Sequence, residues 1–360
     1  MEKKQRNKIR SFLIAVAACL LVCCMPVRAA TVYTQEQIRE AMEQAFDSGD
    51  TQVSITTERT FSVNEYERKQ EAESYAQELW DILQEVALGK GLLLNGTVYS
   101  YRIENSQRVT YQFDISPEFT KEVTVLKSEK SAYKNALKAL KNRDYDAIFY
   151  SENAMYYETF VLALQHHPEF NYGLVIWKST DGTCGYRLGN VLSKEEVRSR
   201  MVKTNKKVNE IAKKILKSGM TKKQKLAAIH DYLVKNCAYD KGKLNSSYDN
   251  AYTAYGCLVE KQAVCQGYAA AFNLLATKAG ICSIAVCGDA GGGSHAWNYV
   301  KIGSNYRYVD TTWDDPVPDR GSKAKVSRTY YYLTQKKLEK THTWDKTEHA
   351  KKYVDYAAVL

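Results

Sequence analysis

The stretch HAWNYVKIGSNYRYVD, residues 295 to 310, constrains the fold more than any other. Its first half alternates, with His295, Trp297 and Tyr299 on one face and Ala296, Asn298 and Val300 on the other, the period of a half-buried strand. Gly303-Ser304-Asn305 is a tight connection, so YRYVD must return as an antiparallel neighbour. Upstream, CQGYAAAFNLLATK reads as a helix from Cys265 to Lys278 stopped by Gly280, and Ser283 to Cys287 as a further strand before the glycines at 291–293. The expectation is α+β: one helix packed on an antiparallel sheet.

This unit carries nucleophile chemistry. Cys265 opens its helix, where unsatisfied N–H groups and the helix dipole favour a thiolate. The hairpin brings Asp310 to within about one residue pair of the position opposite His295. An imidazole beside a thiol removes its proton, and a carboxylate beside the imidazole fixes its tautomer and stabilises the imidazolium. The plain alternative for Cys265 is a small buried hydrophobe.

VCQGYAAAFNLLATKAGI, HAWNYVKI and YRYVDTTWDDP together resemble the transglutaminase-like superfamily, in which Cys, His and Asp occur in this order on a papain-like core. The likeness runs from about Ile229, where IHDYLVKNCAYD resembles the helix and tyrosine preceding that core, to about Thr334. It implies Cys265 as nucleophile, His295 as general acid/base and Asp310 as its orienting partner. The Cys265 N–H becomes a candidate oxyanion donor, and Gln266 beside it a candidate oxyanion or substrate-positioning residue. Relatives add an upstream aromatic donor, for which Tyr239 and Tyr255 are both candidates. The resemblance implies no metal and no cofactor.

Other residues carry structural readings beside functional ones. Trp297 and Trp313 are expected to pack the sheet against the cysteine helix, with substrate positioning as the lesser role. Gly291, Gly292 and Gly293 either turn the chain or admit a substrate backbone. Asp314, Asp315 and Asp319, beside Pro316 and Pro318, read as solvated turn residues. His230, next to Asp231 in mid-helix, reads as structural, and His166-His167 before Pro168 as a helix C-terminus.

Upstream, helix, strand, helix and hairpin patterns follow one another twice, over about 34–115 and 131–188, which suggests a duplicated α/β unit. The expected organisation is a leader at 1–29, an N-terminal α/β domain at 30–192, a helical connector at 193–218 and a catalytic domain at 219–360.

Residues 1–10 carry five Lys/Arg against one Glu, 11–27 are almost wholly apolar, and Val27-Arg28-Ala29 fits a cleavage site, so the chain is expected to be secreted or cell-surface associated, and membrane-bound only if this segment is retained. Removing 1–29 takes away six basic residues and one acid, so the formal charge of +10 falls to +5. That balance is too mild for a nucleic-acid partner. It suits an anionic envelope.

Cys184, Cys237, Cys257, Cys265, Cys282 and Cys287 remain, and their spacings are unlike a stapled scaffold. Cys282 and Cys287 end one strand roughly 16 Å apart, too far to bond. Oligomeric state and pairing among the others stay open.

Three function classes follow. The first is a thiol acyltransferase acting on a protein or peptide glutamine amide, including envelope peptides. The second is a cysteine peptidase or amidase with water as acceptor. The third is a non-catalytic envelope-binding module.

Overall fold

The computed structural model describes residues 29–32, 34–57, 59–95, 99–105, 108–189, 191–243, 250–315 and 326–358. The leader before Ala29 and Asp319 lie outside these residues. Among the described residues no helix is long and apolar enough to cross a membrane.

The chain divides into two compact units after Val123, not near residue 193. In the first, β1 (Ala29–Val32), β2 (Gln52–Thr57), β4 (Tyr99–Asn105) and β5 (Arg108–Asp114) form a sheet in the order β1-β2-β5-β4, while β3 (Leu92–Leu94) and β6 (Thr120–Glu122) make a separate antiparallel pair. The first pair is parallel and the others antiparallel. Helices α1 (Gln35–Ser48) and α2 (Glu65–Gly89) start at the caps Thr34 and Asn64, whose side chains accept first-turn N–H groups. Val109, Tyr111 and Phe113 alternate inward on β5 and meet Leu79 and Leu83 of α2.

The second unit opens with the same succession. Strands β7 (Thr124–Val125), β8 (Phe149–Tyr150), β9 (Leu174–Lys178) and β10 (Thr183–Leu188), with helices α3 (Glu129–Asn142) and α4 (Met155–His166), give the sheet β7-β8-β10-β9. Here too the first pair is parallel and the rest antiparallel. Helix–strand–helix–hairpin therefore occurs twice with one strand order.

Residues 124–192 nevertheless belong with the downstream part. One apolar cluster joins Tyr133, Leu137, Phe160 and Tyr186 to Val286, Trp297, Tyr299 and Tyr353. The segment after Val123 buries its apolar side with the downstream sheet, and this moves the boundary. Helix α5 (Lys194–Ile215), with its Ser193–Glu196 capping box, lies inside the second unit rather than between domains.

The downstream sheet has the order β15-β14-β13-β16, from β13 (Cys282–Ala290), β14 (Gly293–Ile302), β15 (Asn305–Val309) and β16 (His342–Thr343). Gly291 and Gly292 both have positive φ and join β13 to β14, so these glycines turn the chain. After α6 (Lys222–Asn236) and the short parallel pair β11 (Ala238–Tyr239) and β12 (Gln262–Ala263), α7 (Cys265–Lys278) packs on one face of the sheet. Ala269 meets Ala285 and Ala296 there, while Phe272 and Leu275 share a core with Val300 and Val309. Fully burying each large side chain contributes about 1.5–3 kcal/mol. Small residues at the helix start bring its first turn close to the strands.

Candidate active site

Cys265 is the first residue of α7. Val264 before it is extended and supplies no side-chain cap, so first-turn N–H groups stay available beside the thiol. A buried polar lattice fixes this helix on the sheet. Asn298 Nδ2 donates to Ala269 O at 3.1 Å and Asn273 Oδ1 at 2.9 Å, and Ser283 Oγ donates to the same Oδ1 at 2.7 Å. Asn273 Nδ2 in turn donates to Glu169 Oε2 at 2.9 Å. Buried amides satisfied this way hold one geometry, because any shift leaves a donor unpaired.

His295 lies on β14 opposite Gly288, and continuing the β14–β15 register puts Asp310 across from Trp297, two residues from His295. His295 Nε2 is 2.8 Å from Asp310 Oδ2. With Nε2 so engaged, Nδ1 is the atom left for Cys265, which lines the same cleft and stands near enough to act on the ring's charge. Cys265, His295 and Asp310 are thus brought together.

The electrostatics favour charge on the ring. Burial alone would push His295 down, but the hydrogen bonds and negative charge of Asp310 and Cys265 outweigh it and raise its pKa to about 10. Burial pushes the Asp310 carboxyl up, yet hydrogen bonds from His295, His342 and the Trp313 amide carry it below its ordinary value. Asp310 Oδ1 accepts the N–H groups of Thr312 at 3.0 Å and Trp313 at 3.1 Å. The site can hold an imidazolium against a thiolate.

His342 is the residue that sequence reasoning missed. It is buried on β16, with Nε2 3.1 Å from Asp310 Oδ2 and Nδ1 2.8 Å from Thr341 Oγ1. A strand of two residues has no periodicity to read. The available signal was the spacing of His342 and Trp344, two apart like His295 and Trp297. Aromatic rings close around the pair: Trp313 lies 5.7 Å from His295 and 4.6 Å from His342, and Tyr330 5.6 Å from His342.

Trp297 differs from expectation. Its face of β14 is opposite to α7, so it packs against His342 and Trp344 rather than the cysteine helix, and its 1% exposure removes it as a substrate contact. Asp314 is also corrected. It is fully buried and accepts from His230 Nε2 at 3.0 Å, Ser327 Oγ at 2.8 Å and Tyr330 N at 3.0 Å. Its neighbour Asp315 accepts from the Tyr268 hydroxyl. Asp314 anchors the strap at 326–330, Asp315 holds Tyr268 of α7, and His230 is structural. His166 and His167 end α4, but their rings are buried: His166 meets Tyr133 and His349, and His167 meets Glu169.

Of the tyrosine candidates, Tyr239 stands near enough to feel the Cys265 charge, and burial with that charge raises its pKa to about 12. Tyr255 instead packs near Tyr172, Val197 and Met201. Gln266 lines the cleft of about 440 Å³ that holds Cys265 and His295, together with Tyr252, Cys287, Asp289 and Gln165. Among the described residues, His295, Asp310 and His342 place donor atoms that could gather a cation within 4.8 Å of one another. Both Nε2 atoms already lie at hydrogen-bond distance from one carboxylate oxygen, the arrangement of a hydrogen-bonded triad.

Residues 209–312 match the transglutaminase-like superfamily. No curated protein matches the chain. Among solved structures, one of a TGase is 13% identical, with 84% of this chain and 63% of that chain covered and a TM-score of 0.28. A provisionally assigned cysteine protease from Cytophaga hutchinsonii is 18% identical, with 39% and 61% covered and a TM-score of 0.27. A provisionally assigned protease from Parabacteroides distasonis is 11% identical, with 71% and 39% covered and a TM-score of 0.23. The chain spans less than two thirds of the length of each.

Proposed function

With residues 209–312 forming a transglutaminase-like core, we propose that the protein is a thiol acyltransferase that takes the acyl group of a peptide or protein glutamine amide onto Cys265. The observation that carries this reading is the hydrogen-bonded pair His295–Asp310 sharing one cleft with Cys265 at the mouth of α7. The Cys265 thiolate attacks the amide carbonyl. His295 gives its proton to the leaving nitrogen, ammonia departs and a thioester remains. The Cys265 N–H and the Tyr239 hydroxyl are the candidate donors to the oxyanion. His295, now neutral, then accepts a proton from the acceptor that attacks the thioester.

A primary amine is the acceptor the surroundings suit best. A second cavity of about 560 Å³ shares Gln165 with the catalytic cleft and is lined by Glu129, Glu158, Glu348 and Lys352. Lys352 pairs with Glu129 at 2.6 Å, which leaves Glu158 and Glu348 to attract an ammonium group. Hydrolysis, with water as acceptor, is the second reading, and rests on the same three residues. The substrates are proposed to be envelope peptides met after export, on the strength of the apolar leader at 11–27.

Mass spectrometry of glutamine-containing peptides incubated with the protein, with and without a primary amine, tests the reading. Amine incorporation with ammonia release supports transamidation, and deamidated or cleaved peptide supports hydrolysis. Unchanged peptide in both arms would overturn both.

A further inference from the structure

Two cysteines that the proposed chemistry does not use lie together beneath the catalytic helix. Cys237 caps the C-terminus of α6 and is 7% exposed, while Cys257 sits in the π-helical turn Gly256–Glu260 and is 2% exposed. The backbone brings them side by side. Ala238 N–H donates to Lys261 O at 3.0 Å, and the parallel pairs Ala238–Gln262 and Tyr239–Ala263 follow. The end of α6 therefore runs along the end of the π turn. Both thiols belong to one apolar cluster with Leu258, Ala263 and Tyr268, and each is near enough for its charge to act on the other. A lone buried cysteine is an ordinary small hydrophobe. Two in one apolar cluster, on chain segments about 20 residues apart whose ends run side by side, are a candidate cross-link site.

We propose that Cys237 and Cys257 form a disulfide in an oxidising compartment, and that this bond clamps the ends of the segment carrying Tyr239 and Tyr252 beside the catalytic cleft. Tyr239 follows Cys237 by two residues, and Tyr252 precedes Cys257 by five. The oxidant is a small-molecule disulfide such as oxidised glutathione. One protein thiolate attacks it and releases one small thiol. The second protein thiolate displaces the other, so a dithiol and a disulfide become a protein disulfide and two thiols. Burial pushes the Cys257 thiol up and shields it, so the bond forms as this region folds or opens, not by attack on the closed core. Cys265, held beside His295, is open to the same oxidant as a mixed disulfide with the small thiol, so it is read apart from the pair.

The full chain, refolded in mixed oxidised and reduced glutathione, is denatured without reductant and alkylated with N-ethylmaleimide. It is then reduced, alkylated with iodoacetamide and mapped by peptide mass. Cys237 and Cys257 should carry the second label, and Cys184, Cys282 and Cys287 the first. First label on Cys237 and Cys257 to the same extent as on the others, or bridges to other cysteines, would overturn the proposal. None of this requires turnover. Reductant should lower the thermal midpoint of the wild type by several degrees and leave C237A/C257A unmoved. Amide exchange at residues 238–239 and 250–256 should be slower in the oxidised protein. Equal sensitivity of both proteins to reductant would count against the bond, and unchanged exchange against the clamp.

Discussion

His342 Nε2 stands 3.1 Å from Oδ2 of Asp310, the same oxygen that His295 Nε2 meets at 2.8 Å. One buried carboxylate thus receives two imidazoles, and His342 holds in place the oxygen that orients His295. It touches neither the thiol nor, on this reading, the substrate. Its role is positioning.

Removing that donor leaves a buried carboxylate lone pair unmet, a loss of about 1–3 kcal/mol. His342→Leu is expected to lower kcat by roughly 10- to 100-fold with KM little changed, and His342→Gln, which keeps an N–H, to recover most of it. Equal loss in both variants would point to packing alone.

The pH dependence follows from His295. Its folded pKa of about 10 lies above the ordinary histidine value, so the imidazolium is present below that pH and lost as pH rises through it. The rate kcat/KM is expected to hold through neutral pH and decline around pH 10. Asp310→Asn should bring that decline toward neutrality and lower the rate by about two to four orders of magnitude. A wild-type decline near pH 7 would contradict the ion pair.

Gly288 faces the strand that carries His342. A Cβ there would lie 2.1 Å from Thr343 O and 2.9 Å from both Trp297 Cη2 and Trp344 Cβ. Gly288→Ala must push β16 outward, at about 1–3 kcal/mol, and with it His342. Thermal unfolding should show a clear drop for this variant and little for Gly293→Ala, whose Cβ would meet nothing within 4 Å.

Buried neutral histidines set the acid limit. His166 Nε2 lies 3.0 Å from His349 Nδ1, and burial holds His349 down to about 4 and His166 well below its ordinary value. The unfolded chain takes up these protons near pH 6.5. Between pH 6.5 and 4 the unfolded state binds more protons, so stability falls as pH drops. Tm should decline across that window, and His349→Gln should flatten the slope. A flat wild-type profile would show that the pair is hydrated.

Much of the site was legible because its elements are long and punctuated. Helix α7 is marked by small residues and Gly280, and the β14–β15 hairpin by alternation and a three-residue turn. What escaped was non-local. His342 sits on a two-residue strand, and Asp314 beside proline reads as a turn until His230, 84 residues upstream, is placed against it. Apolar periodicity told that α3 and α4 have a buried face, but not that it shares a core with Trp297 and Tyr299. The unit boundary was therefore misplaced. Alternation likewise separated the faces of β14 without telling which one meets α7.

The central claim is a thioester on Cys265. Rapid acid quench of the protein with a glutamine-containing peptide, followed by intact-mass and peptide mapping, should show an acyl adduct on Cys265 that hydroxylamine removes. The adduct should be absent from Cys265→Ala, which should also lack turnover. Turnover by Cys265→Ala at the wild-type rate, with no adduct in either protein, would contradict the account.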